Sequence, residues 1–223
     1  MTTTVTRWWW VRHAPVTANQ GRIYGAEDLP CETHDVAAFE GLARILPRDA
    51  VLVTSHLQRT HQTAAAIADA GLDMPARREC RDLGEQSFGD WQGRFYADLE
   101  KIDPRVIHDY WLCPAHCRPP GGESFVDLTA RVAPVIEEVS DANPGRDVIA
   151  VTHGGTIRAA LSISLGLDPE KALSFSIDNL SVTRIDRIET GADDPHPGSG
   201  RLGWRTVMVN RSPKLPPLPV TDG

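Results

Sequence analysis

TRWWWVRHAPVTAN, residues 6–19, decides how this chain is read. Residues 6–12 are apolar on both faces and carry three consecutive tryptophans, which suits a central parallel strand rather than a half-exposed one. Trp8 and Trp10 are expected on one face and Trp9 on the other, each packing under flanking helices. The strand then ends on a cation and an imidazole, Arg12 and His13, with no charged partner beside them. Tryptophans that anchor the strand also hold that pair rigidly at its carboxyl end.

Outward from this strand the chain alternates between two periodicities. HDVAAFEGLARILP (34–47) repeats its apolar residues at three and four and reads as a helix; AVLVTS (50–55) reads as a strand. QRTHQTAAAIADAG (58–71) is a helix stopped by Gly71, and ARRECRDL (76–83) a polar edge strand. GEQSFGDWQG (84–93) is turn-like, and 94–122 holds short helical pieces and the Pro/Gly-rich CRPPGG. ESFVDLTARVAPVIEEVSDAN (123–143) is a long helix that Pro134 should kink, or in which it should displace a hydrogen bond near the middle. DVIAVT (147–152) is a strand, GGTIRAALSISLG (154–166) a helix closed by Gly166, and LSVTRIDRI (180–188) and GWRTVMVN (203–210) form a late hairpin. The alternation predicts a largely parallel sheet covered on both faces. With no internal repeat and no long linker, residues 1–211 read as one domain with a lid-like excursion at 86–122; 212–223 read as an irregular tail.

Composition narrows the function. The 223 residues are 41% apolar and 24% charged, ordinary for a globular protein. No apolar run approaches the roughly 20 residues of a membrane helix. The start, MTTTVTRWWW, lacks the apolar stretch and small-residue cleavage site of a signal peptide, so a cytoplasmic enzyme with no membrane partner is expected. A net charge of −7 disfavours nucleic acid and suits a small anion in a local cationic pocket. Cys113, His116 and Cys117 in CPAHC, with His108 upstream, offer half a zinc site. No second cluster completes a tetrahedron, so thiols in a reducing compartment are expected and no metal.

Ligands of open α/β sheets sit beyond the carboxyl ends of the strands. There the sequence places Arg12-His13, then Thr54-Ser55 with Arg59 opening the next helix, then Glu85, then His153 with Gly154-Gly155. This set is sufficient for phosphoryl transfer. Two guanidinium forks match a phosphate dianion, and helix N-termini at 58 and 154 add positive potential. A neutral imidazole can attack phosphorus, and a second can donate to the equatorial oxygens. A carboxylic acid can protonate the leaving alkoxide. Arginines and imidazoles replace the charge of a metal ion, so no cofactor is required.

VRHAPVTAN, TSHLQRTHQTA, LGEQSFGDWQG, GGESFVDL and VTHGGTIRA together resemble the histidine phosphatase superfamily, also called the phosphoglycerate mutase-like family, over residues 6 to about 210. The resemblance implies a three-layer α/β/α sandwich on a mostly parallel six-stranded sheet. It implies His13 as the nucleophile that forms a phosphohistidine and Glu85 as the proton donor. Arg12, Arg59 and His153 would clasp the phosphoryl group, and Asn19 matches an asparagine that often touches phosphate. From the residues alone, Gly154 and Gly155 are expected to let the backbone come close to the ligand, with Gly154 in the phosphate-binding set. Three positions depart from the pattern. Ala14 stands where glycine is usual, and a left-handed backbone there would be strained. Gly84 replaces a frequent arginine, and His56 a more usual Asp or Pro; His56 lies near the rim.

The expected function is a metal-independent phosphatase acting on a small phosphorylated metabolite. The alternative is a phosphoglycerate mutase, disfavoured because mutases typically carry a longer, more basic insert than 86–122. A non-catalytic phosphate-binding relative is the third reading. Sugar phosphates, phosphoglycerate and α-ribazole 5′-phosphate stay open as substrates, and a homodimer is compatible with the sequence.

Overall fold

The computed structural model describes residues 3–102, 113–190 and 202–216. Its central strand is β1 (Thr3–Arg12), flanked by the parallel β4 (Asp147–Thr152) and the antiparallel β5 (Val182–Thr190). β2 (Ala50–Thr54) lies on the far side of β4, β3 (Arg77–Glu79) on the edge beyond it, and β6 (Leu202–Arg211) beyond β5. The order β3-β2-β4-β1-β5-β6 makes a mostly parallel six-stranded sheet with an antiparallel pair at one side.

The tryptophans divide as expected. Trp8 and Trp10 are buried on one face with ring centroids 4.8 Å apart, and Trp8 Nε1 donates to Ser140 Oγ at 2.9 Å. Trp9 points to the other face, where its Nε1 donates to Asp147 Oδ1 at 2.8 Å and the Arg184 guanidinium stacks on its ring. Two apolar layers result. Trp8 and Trp10 pack with Leu128, Val132 and Val139 of α4 (Phe125–Ala142) and Ile157 and Leu161 of α5 (Gly154–Leu165). On the opposite face Val11 and Val151 pack with Phe39 and Leu42 of α1 (Val36–Ile45) and Ile67 of α2 (Gln58–Asp69). The molecule is therefore an α/β/α sandwich. Among the described residues no helix is long and apolar enough to cross a membrane.

Two details differ from expectation, the length of the edge strand and a short extra helix. The edge strand shrinks to three residues and gives way to a 3-10 turn at Arg81–Leu83. α4 runs across Pro134, which sits on its exposed face. An additional short helix, Pro169–Ala172, starts from an Asp168 cap with proline in its first turn. The insert contributes the helix α3 (Tyr96–Ile102), while residues 103–112, and His108 with them, lie outside the described residues. In the turn after them the sulfurs of Cys113 and Cys117 are 3.2 Å apart and His116 is exposed. Among the described residues no three His, Cys, Asp or Glu side chains are grouped to hold a metal ion.

Candidate active site

Because β1, β4 and β2 are parallel, their carboxyl ends deliver His13, His153 and Ser55 to one rim. His13 N donates to Thr152 O at 2.9 Å, so the first histidine leaves β1 still registered on β4. The rings of His13 and His153 lie with centroids 5.1 Å apart and are fully buried. Asn179 Nδ2 donates to His13 O at 2.8 Å, and Thr63 of α2 accepts from Ala14 N at 2.9 Å. Ala14 does not have a positive φ, so alanine fits here without strain.

His13 Nδ1 lies 2.7 Å from Ala14 O. A carbonyl only accepts, so Nδ1 carries the proton and the Nε2 lone pair is the reactive one. That Nε2 is buried with no hydrogen-bond partner, and so is Nε of the adjoining Arg12. Burial, then the charge of Arg59, push the His13 pKa well below its ordinary 6.5. The same two causes, in the same order, depress His153. Both imidazoles are neutral near pH 7.

The arginines are held by main-chain oxygens rather than by carboxylates. Arg12 Nη1 donates to Ile177 O at 2.5 Å. Arg59, fully buried in the first turn of α2, donates from Nη1 to Glu27 O (2.6 Å) and from Nη2 to Gly25 O (2.7 Å). Its Nε faces His153 Nδ1 at 3.3 Å, and Tyr24 lies under its guanidinium. Carbonyl partners fix these cations without neutralising them, which leaves net positive charge for an anion. His153 Nε2 meets Ser55 Oγ at 2.8 Å. Both of its ring nitrogens therefore have partners, where the sequence suggests that they point to a ligand.

Glu85 reaches the rim from the loop after the 3-10 turn. Its Oε1 accepts from Gln86 N at 3.0 Å and from Gly155 N at 3.1 Å, with Oε2 at 3.3 Å from the latter. The room at Gly155 thus serves the carboxylate rather than a ligand. Gly154 lies under two guanidinium groups, Arg12 and Arg158. Asn19 is half-buried, and its amide donates to Arg22 O at 2.7 Å inside the 17–22 turn, a contact that does not tie it to the histidines.

The two departures Gly84 and His56 meet each other. A Cβ on residue 84 would stand 3.1 Å from the His56 ring. His56 Nδ1 is buried without a partner, and burial, followed by Arg81, lowers the pKa of this ring. Trp91 is buried with Ile23 and Leu99 and buttresses the insert.

Sequence reasoning missed Arg158, Tyr24 and Asn179. Arg158 Nε donates to Phe175 O at 2.7 Å, and burial lowers its pKa while Glu85 raises it. A signal existed, since Arg158 follows Gly154 by four residues and so shares its helix face. Tyr24 packs edge-on to His13 at 6.5 Å, and nothing in GRIYG distinguishes it from a loop tyrosine.

Known proteins are similar to this chain in sequence and fold. The family model of the histidine phosphatase superfamily (branch 1) matches residues 8–193. A glucosyl-3-phosphoglycerate phosphatase of Mycolicibacterium vanbaalenii is 33% identical over 92% of this chain and 94% of its own length. A bifunctional protein of Mycobacterium tuberculosis is 32% identical over 85% of this chain, but the match spans only 52% of that relative. This chain thus spans about half the length of that curated relative. The native structure of a mycobacterial glucosyl-3-phosphoglycerate phosphatase superposes with a TM-score of 0.76 at 29% identity, covering 93% of this chain and 100% of that one.

Proposed function

The chain belongs to the histidine phosphatase superfamily, and from that premise we propose that it is a metal-independent phosphomonoesterase working through a phosphohistidine on His13. One observation carries the reading. A buried imidazole with its lone pair on Nε2 adjoins a buried guanidinium Nε, and neither has a partner. Unsatisfied buried groups of opposite hydrogen-bonding character call for an explanation. A phosphoryl group, electrophilic at phosphorus and acceptor at oxygen, satisfies both.

In the first step the His13 Nε2 lone pair attacks phosphorus and the P–O ester bond breaks. The leaving alkoxide takes a proton from Glu85. In the second, water attacks the phosphohistidine, Glu85 accepts its proton, the P–N bond breaks and phosphate departs. Arg12 and the remaining N–H groups of Arg59 balance the charge on the equatorial oxygens. Ser55 Oγ can donate as well as accept, so His153 can carry its proton on Nδ1 and offer it to the phosphoryl group in place of the Arg59 contact. Gly154 gives the backbone a close approach, and Asn19 is assigned to the rim of the phosphate site.

The substrate is a small phosphorylated metabolite, with residues 86–122 as its roof. The activity named for the relative that is 33% identical makes a glycosylated phosphoglycerate the first ester to try. The test is His13→Ala assayed on an aryl phosphate with chelator present. Turnover and an acid-labile phosphoenzyme should both vanish, whereas wild type should be indifferent to chelator. Full activity in His13→Ala would exclude the nucleophile, and loss of wild-type activity to chelator would exclude metal independence.

A further inference from the structure

One guanidinium on α4 holds the loop that presents Glu85. Arg131 donates from Nη1 to Asp82 O (2.6 Å) and from Nη2 to Gly84 O (3.0 Å) and Glu85 O (3.1 Å). The rest of its fork is bidentate on Glu123, Nε to Oε2 at 3.0 Å and Nη2 to Oε1 at 2.7 Å. Glu123 closes the clamp from the other side. Its Oε1 accepts from Ser87 N at 3.0 Å, its carbonyl accepts from Gln86 Nε2 at 2.9 Å, and its own N–H donates to Ser87 O at 2.9 Å. Residues 84–87 belong to no helix or strand, so without these partners their polar backbone groups would be left to solvent.

The loop is also tied to the sheet. Thr152 Oγ1 donates to Leu83 O at 2.7 Å and Thr156 Oγ1 to Gly84 O at 3.0 Å. These two bonds locate the loop at the end of β4 and beside α5. They act on residues before the acid and leave the main chain at 85–87 unheld. Among the described residues, Arg131 is the side chain that reaches the Glu85 carbonyl, and Glu123 is the residue that grips 86 and 87 from α4's start.

We propose that Arg131, locked by Glu123, is the positioning residue for the proton donor, because its fork fixes the carbonyls of Gly84 and Glu85 and so sets where the Glu85 carboxyl sits. It touches neither substrate nor the reacting atoms and acts through Glu85. The inference rests on the reading of Glu85 as the acid. Charge alone is not enough for this role, since lysine keeps the ion pair with Glu123 but lacks the planar fork needed to bond the carbonyls and the carboxylate together.

An acid matters most when the leaving group is poor, so the readout is the ratio of kcat/KM for an alkyl phosphate to that for p-nitrophenyl phosphate. The ratio is taken within one sample, so the fraction of folded enzyme cancels. Arg131→Lys and Glu123→Gln should each lower it about ten-fold or more, part of the roughly hundred-fold or greater contribution of general acid catalysis. Glu85→Gln should lower it further, and Arg131→Lys added to Glu85→Gln should lower it no more, because the two act as one unit. If Glu85→Gln lowers the ratio and Arg131→Lys leaves it unchanged, the positioning role is overturned and the acid stands. If Glu85→Gln itself leaves the ratio unchanged, the assignment of the acid fails and the positioning role falls with it.

Discussion

Gly155 has no room for a side chain. A Cβ there would overlap Glu85 Oε1 and stand 3.1 Å from Leu128 Cδ2. The carboxylate and a core leucine thus share the space above one residue, and the leucine is the harder to move because its neighbours are close-packed. Gly155→Ala should displace Glu85 and lower kcat/KM for alkyl phosphates by about ten-fold or more. Far-ultraviolet circular dichroism should be unchanged; unaltered kinetics would mean that Glu85 is not held where the acid is needed. The backbone of Gly155 is helical, so the argument here is steric and does not need glycine's conformational freedom. Gly84 gives a complementary case, because the side chain it lacks leaves room for the His56 ring.

At the scale of elements, α4 brings together packing and chemistry. Its buried face, Leu128, Val132, Ile136 and Val139, packs under Trp8 and Trp10, while Arg131 projects to the Glu85 loop. Its start is fixed by a capping box: Ser124 Oγ accepts from Asp127 N at 3.1 Å and Asp127 Oδ2 accepts from Ser124 N at 2.8 Å. Ser124→Ala removes one half of this box and should cost about 1 kcal/mol. In a chain of this size that corresponds to a fall of about 2–4 °C in Tm, readable by calorimetry. The helix start also carries Glu123, so the same variant should lower alkyl-phosphate turnover more than aryl-phosphate turnover. Pro134 lies inside this element without ending it. Its ring removes one backbone donor, but on the exposed face the freed carbonyl is open to water, and the helix on either side is held by the core.

On the scale of the whole molecule, two neutral histidines are buried at the end of the sheet, and this links the fold to pH. Their folded values lie well below 6.5, so below that pH the unfolded chain binds more protons than the native one. Stability is therefore full above about pH 6.5 and is lost as pH falls, by up to about 1.4 kcal/mol per pH unit for each histidine. Urea denaturation at a series of pH values should show this slope, and His13→Asn should reduce it; an equal slope in both proteins would mean that His13 is not buried neutral. Much of this was already legible in the chain. The doubly apolar strand, the helical periodicities and the polar residues ending successive strands determined the layered sheet and the candidates Arg12, His13, Arg59, Glu85 and His153, because burial and strand direction impose local patterns that a sequence must obey. Only the tertiary structure decided which carbonyls hold each guanidinium, that Gly155 makes room for an acid, and that Arg131 grips the loop from another layer. Such contacts join residues 17 to 165 positions apart, and no local periodicity encodes a pairing that arises only when the layers close.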